Sequence, residues 1–222
     1  HATLRRQRQM CIRDRKNLGE ENLDALESGL PNLLRHLENL SKFNLPTVVA
    51  INRFPTDTES EISKVQEVCK NAGVNAVLAE HWAEGGKGAA KLAEAVIETI
   101  DGNTSDLKFL YEDKDDPKSK INKICKEIYR ANDVTFSAQA EKKLNEISKL
   151  GFESFPVCMA KTQYSFSTDA TKKCAPSDHS INIREIRLSA GAEFIVAIAG
   201  DIMTMPGLPK KPAAYEVCVG ED

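Results

Sequence analysis

Two short runs of aliphatic and β-branched residues, separated by a helical pattern, constrain the fold of this chain most strongly. They lie at residues 45–52 (LPTVVAIN) and 74–79 (VNAVLA). Apolar runs of this length are typical of strands that are buried on both faces. One face of the intervening helix is marked by Ile62, Val65, Cys69 and Ala72. With a second helical pattern at 89–100, this order predicts a parallel sheet with helices across its faces.

An amphipathic helix precedes the first of these strands. Its leucines recur at three- and four-residue intervals, as Leu23, Leu26, Leu30, Leu33, Leu37 and Leu40. Gly29 and Pro31 interrupt the pattern, and proline is tolerated only near the start of a helix. We therefore expect this helix to be divided into two pieces.

The chain changes character after Asp101, where a polar loop leads to the charged run EDKDDP at 112–117. We expect this run to be a solvated loop that favours the N-terminus of the next helix. Beyond it, the pattern predicts helices at 121–128 and 140–150 and strands at 156–160, 181–188 and 194–199. The predicted division is a disordered or foreign segment 1–15, a β-α-β-α domain 16–102 and an α+β region 103–222.

Composition and charge exclude several classes of protein. The 30 Lys and Arg against 33 Asp and Glu give a formal net charge of -3. No basic stripe follows the chain, which excludes nucleic acid as a partner. No apolar run reaches the ~18 residues of a membrane span, and the arginine-rich start differs from a secretory signal. These features predict a cytoplasmic protein without a membrane partner.

The cysteines and histidines are scattered along the chain. They show neither a CxxC pair nor the histidine spacing of a zinc site. The cysteines are Cys11, Cys69, Cys125, Cys158, Cys174 and Cys218, and the histidines are His1, His36, His81 and His179. We expect free thiols in a reducing compartment and no metal site.

Two aromatic residues follow the predicted parallel strands. Phe54 follows the first strand, and Trp82, the only tryptophan, follows the second. Open α/β sheets bind ligands at the carboxyl ends of their strands, and two flat side chains there could hold a pterin or an adenine between them. The alternative is that both rings belong to the core, as most Phe and Trp residues do. Polar flanking sequences oppose that alternative, and Gly85, Gly86 and Gly88 would permit close approach by a ligand.

Asn52 ends the first strand and offers a second kind of contact. Its amide can pair with both a donor and an acceptor on a heterocycle edge. The sequence VVAIN followed by a basic residue resembles the base-reading element of P-loop GTPases, so a GTPase-like regulator stays open as an alternative. Thr56, Asp57 and Thr58 could also contact a ligand, but capping of the helix that begins near Glu59 is the favoured interpretation.

Four segments resemble the formate–tetrahydrofolate ligase family, also called formyltetrahydrofolate synthetases. The similarity runs from about residue 20 to residue 214, through VVAINRFPTDT, HWAEGGKG, CMAKTQYSFS and LSAGAEFIVAIAGDIMTMPGLPKKPAA. In this family, ATP and formate give formyl phosphate. The amine nitrogen that bridges the pterin and the aminobenzoate of tetrahydrofolate attacks it. The products are 10-formyltetrahydrofolate, ADP and phosphate.

The resemblance implies an α/β fold that is part of a P-loop-NTPase-like, mainly parallel doubly wound sheet with a smaller C-terminal α+β portion. It implies that Phe54 and Trp82 are the aromatic walls of the ring pocket, together with Asn52 and Pro55. A loop near this pocket would contain Met205, Pro206, Gly207 and Leu208. A rigid turn without a ligand explains that loop equally well. The implied substrates are formate, tetrahydrofolate and ATP with Mg²⁺; a monovalent cation and a homo-oligomer are implied as well.

The sequence also departs from what such a ligase requires. No GxxxxGK[ST] motif occurs, because the Gly86-Lys87 pair is followed by Gly88, so a phosphate cradle is absent. Residues 2–5 (ATLR) are similar to the start of the family signature VATIRALKxHGG, but residues 6–15 differ and suggest foreign sequence. We therefore expect the C-terminal part of a ligase, inactive by itself, with its catalytic residues upstream. The alternative from another class is a non-catalytic heterocycle-binding or scaffold module.

Overall fold

The computed structural model of the protein describes residues 19–102, 106–202, 211 and 215. The helices are α1 Leu23–Ser41, α2 Glu59–Asn71, α3 His81–Glu84, α4 Ala90–Asp101, α5 Pro117–Glu127 and α6 Ala138–Lys149. The strands are β1 Val48–Asn52, β2 Asn75–Ala79, β3 Asp133–Phe136, β4 Val157–Ala160, β5 Ser180–Ser189 and β6 Phe194–Ala199. Short 3₁₀ helices lie at Gly85–Ala89 and Ala190–Ala192. None of the described helices combines the length and the apolar character that crossing a bilayer requires.

The first unit, residues 23–101, contains a parallel pair of strands. β1 and β2 pair from Val48 opposite Asn75 to Asn52 opposite Ala79. This pairing confirms the predicted parallel β-α-β arrangement. The buried apolar cluster of this unit joins α1, β1 and α2 and consists of Leu26, Leu30, Leu33, Leu37, Val49, Ile51, Ile62, Val65 and Cys69.

Helix α1 runs without a break through Pro31, so the predicted division at Gly29 and Pro31 is wrong. The helix begins after Asn22, whose side chain accepts a hydrogen bond from the Ala25 N–H at 2.9 Å. Proline costs a helix interior about 3 kcal/mol. The four buried leucines of α1 lie on both sides of Pro31 along the helix, and each contributes about 1.5 to 3 kcal/mol. Burial of the apolar face therefore outweighs the local penalty.

A reciprocal cap begins α2. The Thr58 hydroxyl accepts from the Glu61 N–H at 3.3 Å, and the Glu61 carboxylate accepts from the Thr58 N–H at 3.4 Å. Asp57 closes the preceding loop by accepting from the Phe54 N–H at 2.8 Å. The predicted capping use of Thr58 is therefore confirmed.

The second unit, residues 117–199, contains a four-stranded mixed sheet in the order β3-β5-β6-β4. β3 is parallel to β5 and β4 is parallel to β6, while β5 and β6 are antiparallel. Its buried apolar cluster consists of Ile121, Cys125, Ala131, Ala140, Leu144, Ile147, Ile181, Ile183, Ile186, Ile195, Ala197 and Ala199. The described chain is thus a mixed α/β structure with parallel-sheet elements.

The acidic run before the second unit caps α5, as predicted. The Asp116 carboxylate accepts from the N–H groups of Lys118 at 3.0 Å and Ser119 at 3.1 Å. The Ser119 hydroxyl also donates to it at 2.5 Å. These hydrogen bonds, that of the Ser119 side chain above all, lower the pKa of Asp116. The charged carboxylate is therefore the form that begins the helix.

Helix α1 also joins the two units through polar contacts near its C-terminal end. The Asn39 side chain donates to the Ile128 carbonyl at 3.1 Å. Lys42 pairs with Glu127 at 3.0 Å. These contacts bring the C-terminal end of α1 against the end of α5.

Candidate functional site

The candidate site lies where β1 and β2 end. The Arg53 N–H donates to the Ala79 carbonyl at 3.1 Å and extends the strand pairing beyond Asn52. Phe54 then follows β1, and Trp82 follows β2 within α3. Both aromatic residues therefore follow the carboxyl ends of neighbouring parallel strands, which is where open α/β sheets bind ligands. We call residues 52–57 together with 80–88 the carboxyl edge.

The two aromatic residues differ in exposure. The Trp82 residue is 75% exposed, whereas Phe54 is half-buried. A residue this exposed does not belong to the core, so the alternative that the Trp82 ring is a core residue is wrong. Pro55 is exposed next to Phe54. The structure places all three at the carboxyl edge, and their contact with a ring stays a prediction.

Arg53 ties the two strand ends together. Its guanidinium pairs with Glu80 at 3.2 Å and with Glu59 at 2.7 Å. Partly exposed pairs of this kind contribute at most about 1 kcal/mol to stability. Their main effect is to fix the loop that carries Phe54. Sequence reasoning missed this bridge, and an arginine directly after a strand is the only signal that could have indicated it.

Asn52 is the last residue of β1, and its side-chain oxygen lacks a partner. Among the described residues, no donor forms a hydrogen bond with the buried Asn52 Oδ1. A buried acceptor without a donor costs about 1 to 3 kcal/mol. Because this oxygen is enclosed by the protein, a ligand N–H group could reach it only after the side chain turned towards the edge. The contact of Asn52 with a heterocycle edge therefore stays a prediction.

The glycines after Trp82 have different roles. Gly85 has a φ of 61°, in the left-handed region that favours glycine. A Cβ atom on Gly88 would lie 2.5 Å from the Glu80 backbone carbonyl, and the Gly88 carbonyl accepts from the Glu80 N–H at 2.9 Å. Packing of the turn therefore requires Gly88, and close approach of a ligand at this position stays a prediction. Gly86 has no such neighbour within 4 Å.

Other predictions from the sequence concern residues away from the carboxyl edge. Met205, Pro206, Gly207 and Leu208 lie outside the described residues, so their place near the pocket stays a prediction. In the described ranges, no three His, Cys, Asp or Glu residues are arranged to hold a metal ion. The cysteines that the structure describes, Cys69, Cys125, Cys158 and Cys174, are free thiols.

Comparison with known proteins assigns the chain to a family. The family model described as formate–tetrahydrofolate ligase matches residues 1–222. The formate–tetrahydrofolate ligase of Maricaulis maris (strain MCS10) is 52% identical over 200 residues, which are 90% of this chain and 36% of that protein. The ligase of Ruegeria sp. (strain TM1040) is 49% identical over 206 residues, 93% of this chain and 37% of that protein. That of Pelagibacter ubique (strain HTCC1062) is 50% identical over 206 residues, with the same two shares. The chain thus spans little more than a third of the length of these relatives.

Proposed function

This chain belongs to the formate–tetrahydrofolate ligase family, and we propose that it supplies the ring-binding edge of an ATP-dependent enzyme. That enzyme joins formate to tetrahydrofolate through a new carbon–nitrogen bond and releases ADP and phosphate. The small-molecule partners are formate, ATP and tetrahydrofolate. The ligand of the carboxyl edge is the flat pterin ring, the adenine ring, or each in turn.

The single observation that carries this proposal is the exposure of Trp82 at the carboxyl ends of two parallel strands. An exposed indole loses water-accessible apolar area when a flat ring stacks on it, and such stacking is worth roughly 1 to 3 kcal/mol. Phe54, on the neighbouring strand end, would cover the opposite face of the ring. Pro55 would extend that wall, and the Asn52 side chain, once turned towards the edge, would accept from a ring N–H group.

The glycine turn of the carboxyl edge does not fit the phosphates of ATP or its Mg²⁺ ion. A phosphate cradle needs a lysine followed by Ser or Thr, whereas Lys87 is followed by Gly88. The backbone at Gly88 is also packed against Glu80. No phosphoryl step is therefore assigned to this chain, and we propose that these 222 residues alone do not form 10-formyltetrahydrofolate.

The family resemblance supports several finer proposals. The parallel pair β1-β2 would belong to a P-loop-NTPase-like, doubly wound sheet in the whole ligase. The loop of Met205, Pro206, Gly207 and Leu208 would lie beside the ring pocket. The whole ligase would be a cytoplasmic homo-oligomer that uses Mg²⁺ and a monovalent cation.

The test is a titration of Trp82 fluorescence with tetrahydrofolate. Because Trp82 is the only tryptophan, quenching reports on this edge directly once absorption by the ligand is corrected with a free tryptophan derivative. Saturable quenching is expected with tetrahydrofolate or with ATP. Quenching by GTP alone would favour the GTPase-like alternative. No quenching by any of the three would favour a scaffold and overturn the proposal.

A further inference from the structure

A cavity lies between α1 and the segment 161–174, and none of its lining residues belongs to the carboxyl edge. Its volume is about 270 Å³. Among the described residues that line it, Lys161 is the charged side chain, and no Asp or Glu lines it. Burial lowers the pKa of the neighbouring His36, which favours its neutral ring. The cavity therefore has a one-sided charge, although the whole chain is slightly acidic.

Three aromatic rings of the cavity wall each lie against a cation. The distances from the charged group to the ring centroid are 4.9 Å for Lys161 on Tyr129, 5.6 Å for Arg35 on Phe166 and 5.0 Å for Lys173 on Tyr164. The three rings line the cavity. Positive charge thus surrounds the cavity from both α1 and the 161–174 segment.

Lys161 has no carboxylate partner within the described part of the chain. Its ammonium donates to the Thr162 carbonyl at 2.9 Å and to the Ser165 carbonyl. An ammonium group has three donors, so one N–H is left for a ligand. Burial lowers the pKa of Lys161 to about 8, which is the expected effect of desolvation without a counter-charge.

The positive charge of Arg35 is also only partly compensated by nearby carboxylates. It is only 7% exposed, and its Nη1 atom forms no hydrogen bond with any described residue. Glu38 lies 3.9 Å from its Nε atom, but the same carboxylate pairs with Arg130. Burial, and next the charge of Arg130, lower the pKa of Arg35. A buried guanidinium group that shares its counter-ion is costly.

His179 lies close enough to Lys161 and Arg35 for their charges to affect its pKa. It is 5% exposed, and neither ring nitrogen has a described partner in good hydrogen-bond geometry. Burial lowers its pKa most, the Ser177 backbone raises it next, and the charges of Lys172, Lys161 and Arg35 lower it further. Asp169 does not line the cavity. Its hydrogen bonds with Thr171 lower its pKa first, and the charges of Lys172 and Lys173 lower it further.

We propose that this cavity binds a small oxyanion, a phosphate or carboxylate group, between Lys161, His36 and Tyr129. The anion would accept from the third N–H of Lys161 and from the Tyr129 hydroxyl. That hydroxyl is a dependable donor because burial raises the pKa of Tyr129 to about 12. The bound charge would compensate Lys161 directly and would lie near Arg35, whose guanidinium packs on the Phe166 ring of the cavity wall. This inference does not depend on the proposed function, since it concerns different residues.

The test is calorimetric titration of the 222-residue chain with inorganic phosphate and, separately, with sodium acetate, at constant ionic strength. We expect saturable binding near one site per chain for at least one of them, weakened at least tenfold in Lys161→Met. Phosphate alone would identify a phosphate-bearing ligand, and acetate alone a carboxylate. The matched control is Lys118→Met, since Lys118 also lies over a ring, Phe136, at 4.9 Å, but outside the cavity lining.

Circular dichroism checks that the Lys161 variant folds. If it does not, Lys173→Met, at the rim of the cavity, takes its place with an expected loss of at least threefold. No saturable binding of either anion would overturn the proposal. Equal binding by the wild type and by the folded cavity variant would overturn it as well.

Discussion

The first unit and the second unit are built from similar elements but enclose their strands to different degrees. In the second unit, β5 and β6 each pair on both sides, and the core contains residues from both strands and from α5 and α6. In the first unit, β1 and β2 pair only with each other among the described strands. Helix α4 buries Ala95 but leaves Val96, Ile97 and Ile100 exposed.

This difference indicates that stability and ligand binding depend on different units. A sheet with paired central strands and a continuous core resists local opening, whereas a two-stranded sheet is marginal. The exposed aromatic residue at a strand end, Trp82, belongs to the less enclosed unit. We infer that the second unit provides most of the stability of the described chain and that the first provides the ring-binding edge. Four measurements challenge or refine this division.

The largest expected effect is that of Lys120→Met in the second unit. Lys120 is 0% exposed. Its ammonium lies within hydrogen-bond distance of four backbone carbonyls, those of Asp113 at 2.8 Å, Ser154 at 2.9 Å, Glu153 at 3.0 Å and Phe155 at 3.1 Å, so one of its three N–H donors is shared. Because buried acceptors would lose a charged donor, the free energy of unfolding should fall by about 4 kcal/mol. Urea denaturation measures it.

The control for this variant is Lys123→Met on the same helix. Lys123 pairs with Asp115 at 2.7 Å on the surface, so its loss should cost less than about 1 kcal/mol. Equal losses in the two variants would mean that the carbonyl cage of Lys120 does not stabilise the second unit.

A matched pair of core substitutions compares the units directly. Ile51 and Ile195 are both 0% exposed, one in each unit. Truncation to alanine should cost each unit about 3 kcal/mol through lost burial and a cavity. Amide hydrogen exchange measures the effect in each sheet. In Ile51→Ala, the amides of β1 and β2 should exchange faster while those of β5 and β6 stay protected. Loss of protection in both sheets by either variant would show one cooperative unit and refute the division.

Buried thiols predict an alkaline loss of stability that is larger in the second unit. Burial raises the pKa of Cys125 to about 12 and also raises that of Cys69. A thiol with a raised folded pKa holds its proton while the unfolded thiol releases it above about pH 9, so stability falls as pH rises. The Cys125 contribution should reach about 2 to 3 kcal/mol at pH 11.

Denaturation at pH 8 and at pH 11 checks this expectation. Cys125→Ala should remove more of the alkaline loss than Cys69→Ala. The reverse order would mean that the Cys125 environment is more hydrated than its burial indicates.

Sequence patterns predicted the strands of the first unit well, because their apolar residues are consecutive. They did not predict β3, where Asp133 and Thr135 alternate with Val134 and Phe136 in only four residues. Such a strand depends on pairing with β5, and a pairing partner distant in sequence leaves no local pattern. Pro31 was misinterpreted for the same reason, since tertiary burial of α1 decides its conformation.

The site was predictable only in part. Phe54 and Trp82 could be placed at the carboxyl edge from the sequence, because each directly follows a predicted strand. The unpartnered oxygen of Asn52 and the bridge of Arg53 depend on three-dimensional contacts with distant residues. The segment CMAKTQYSFS carried a family resemblance, but nothing in its spacing indicates that Lys161 faces a cavity beside α1.

The most direct test of the division is calorimetric titration of tetrahydrofolate into the wild-type chain, Trp82→Ala and Phe109→Ala. Phe109, 76% exposed and outside the carboxyl edge, is the matched control. We expect Trp82→Ala to lose roughly 1 to 3 kcal/mol of binding free energy while its unfolding free energy changes by less than about 0.5 kcal/mol. Phe109→Ala should bind like the wild type. Unchanged affinity in Trp82→Ala would contradict the account.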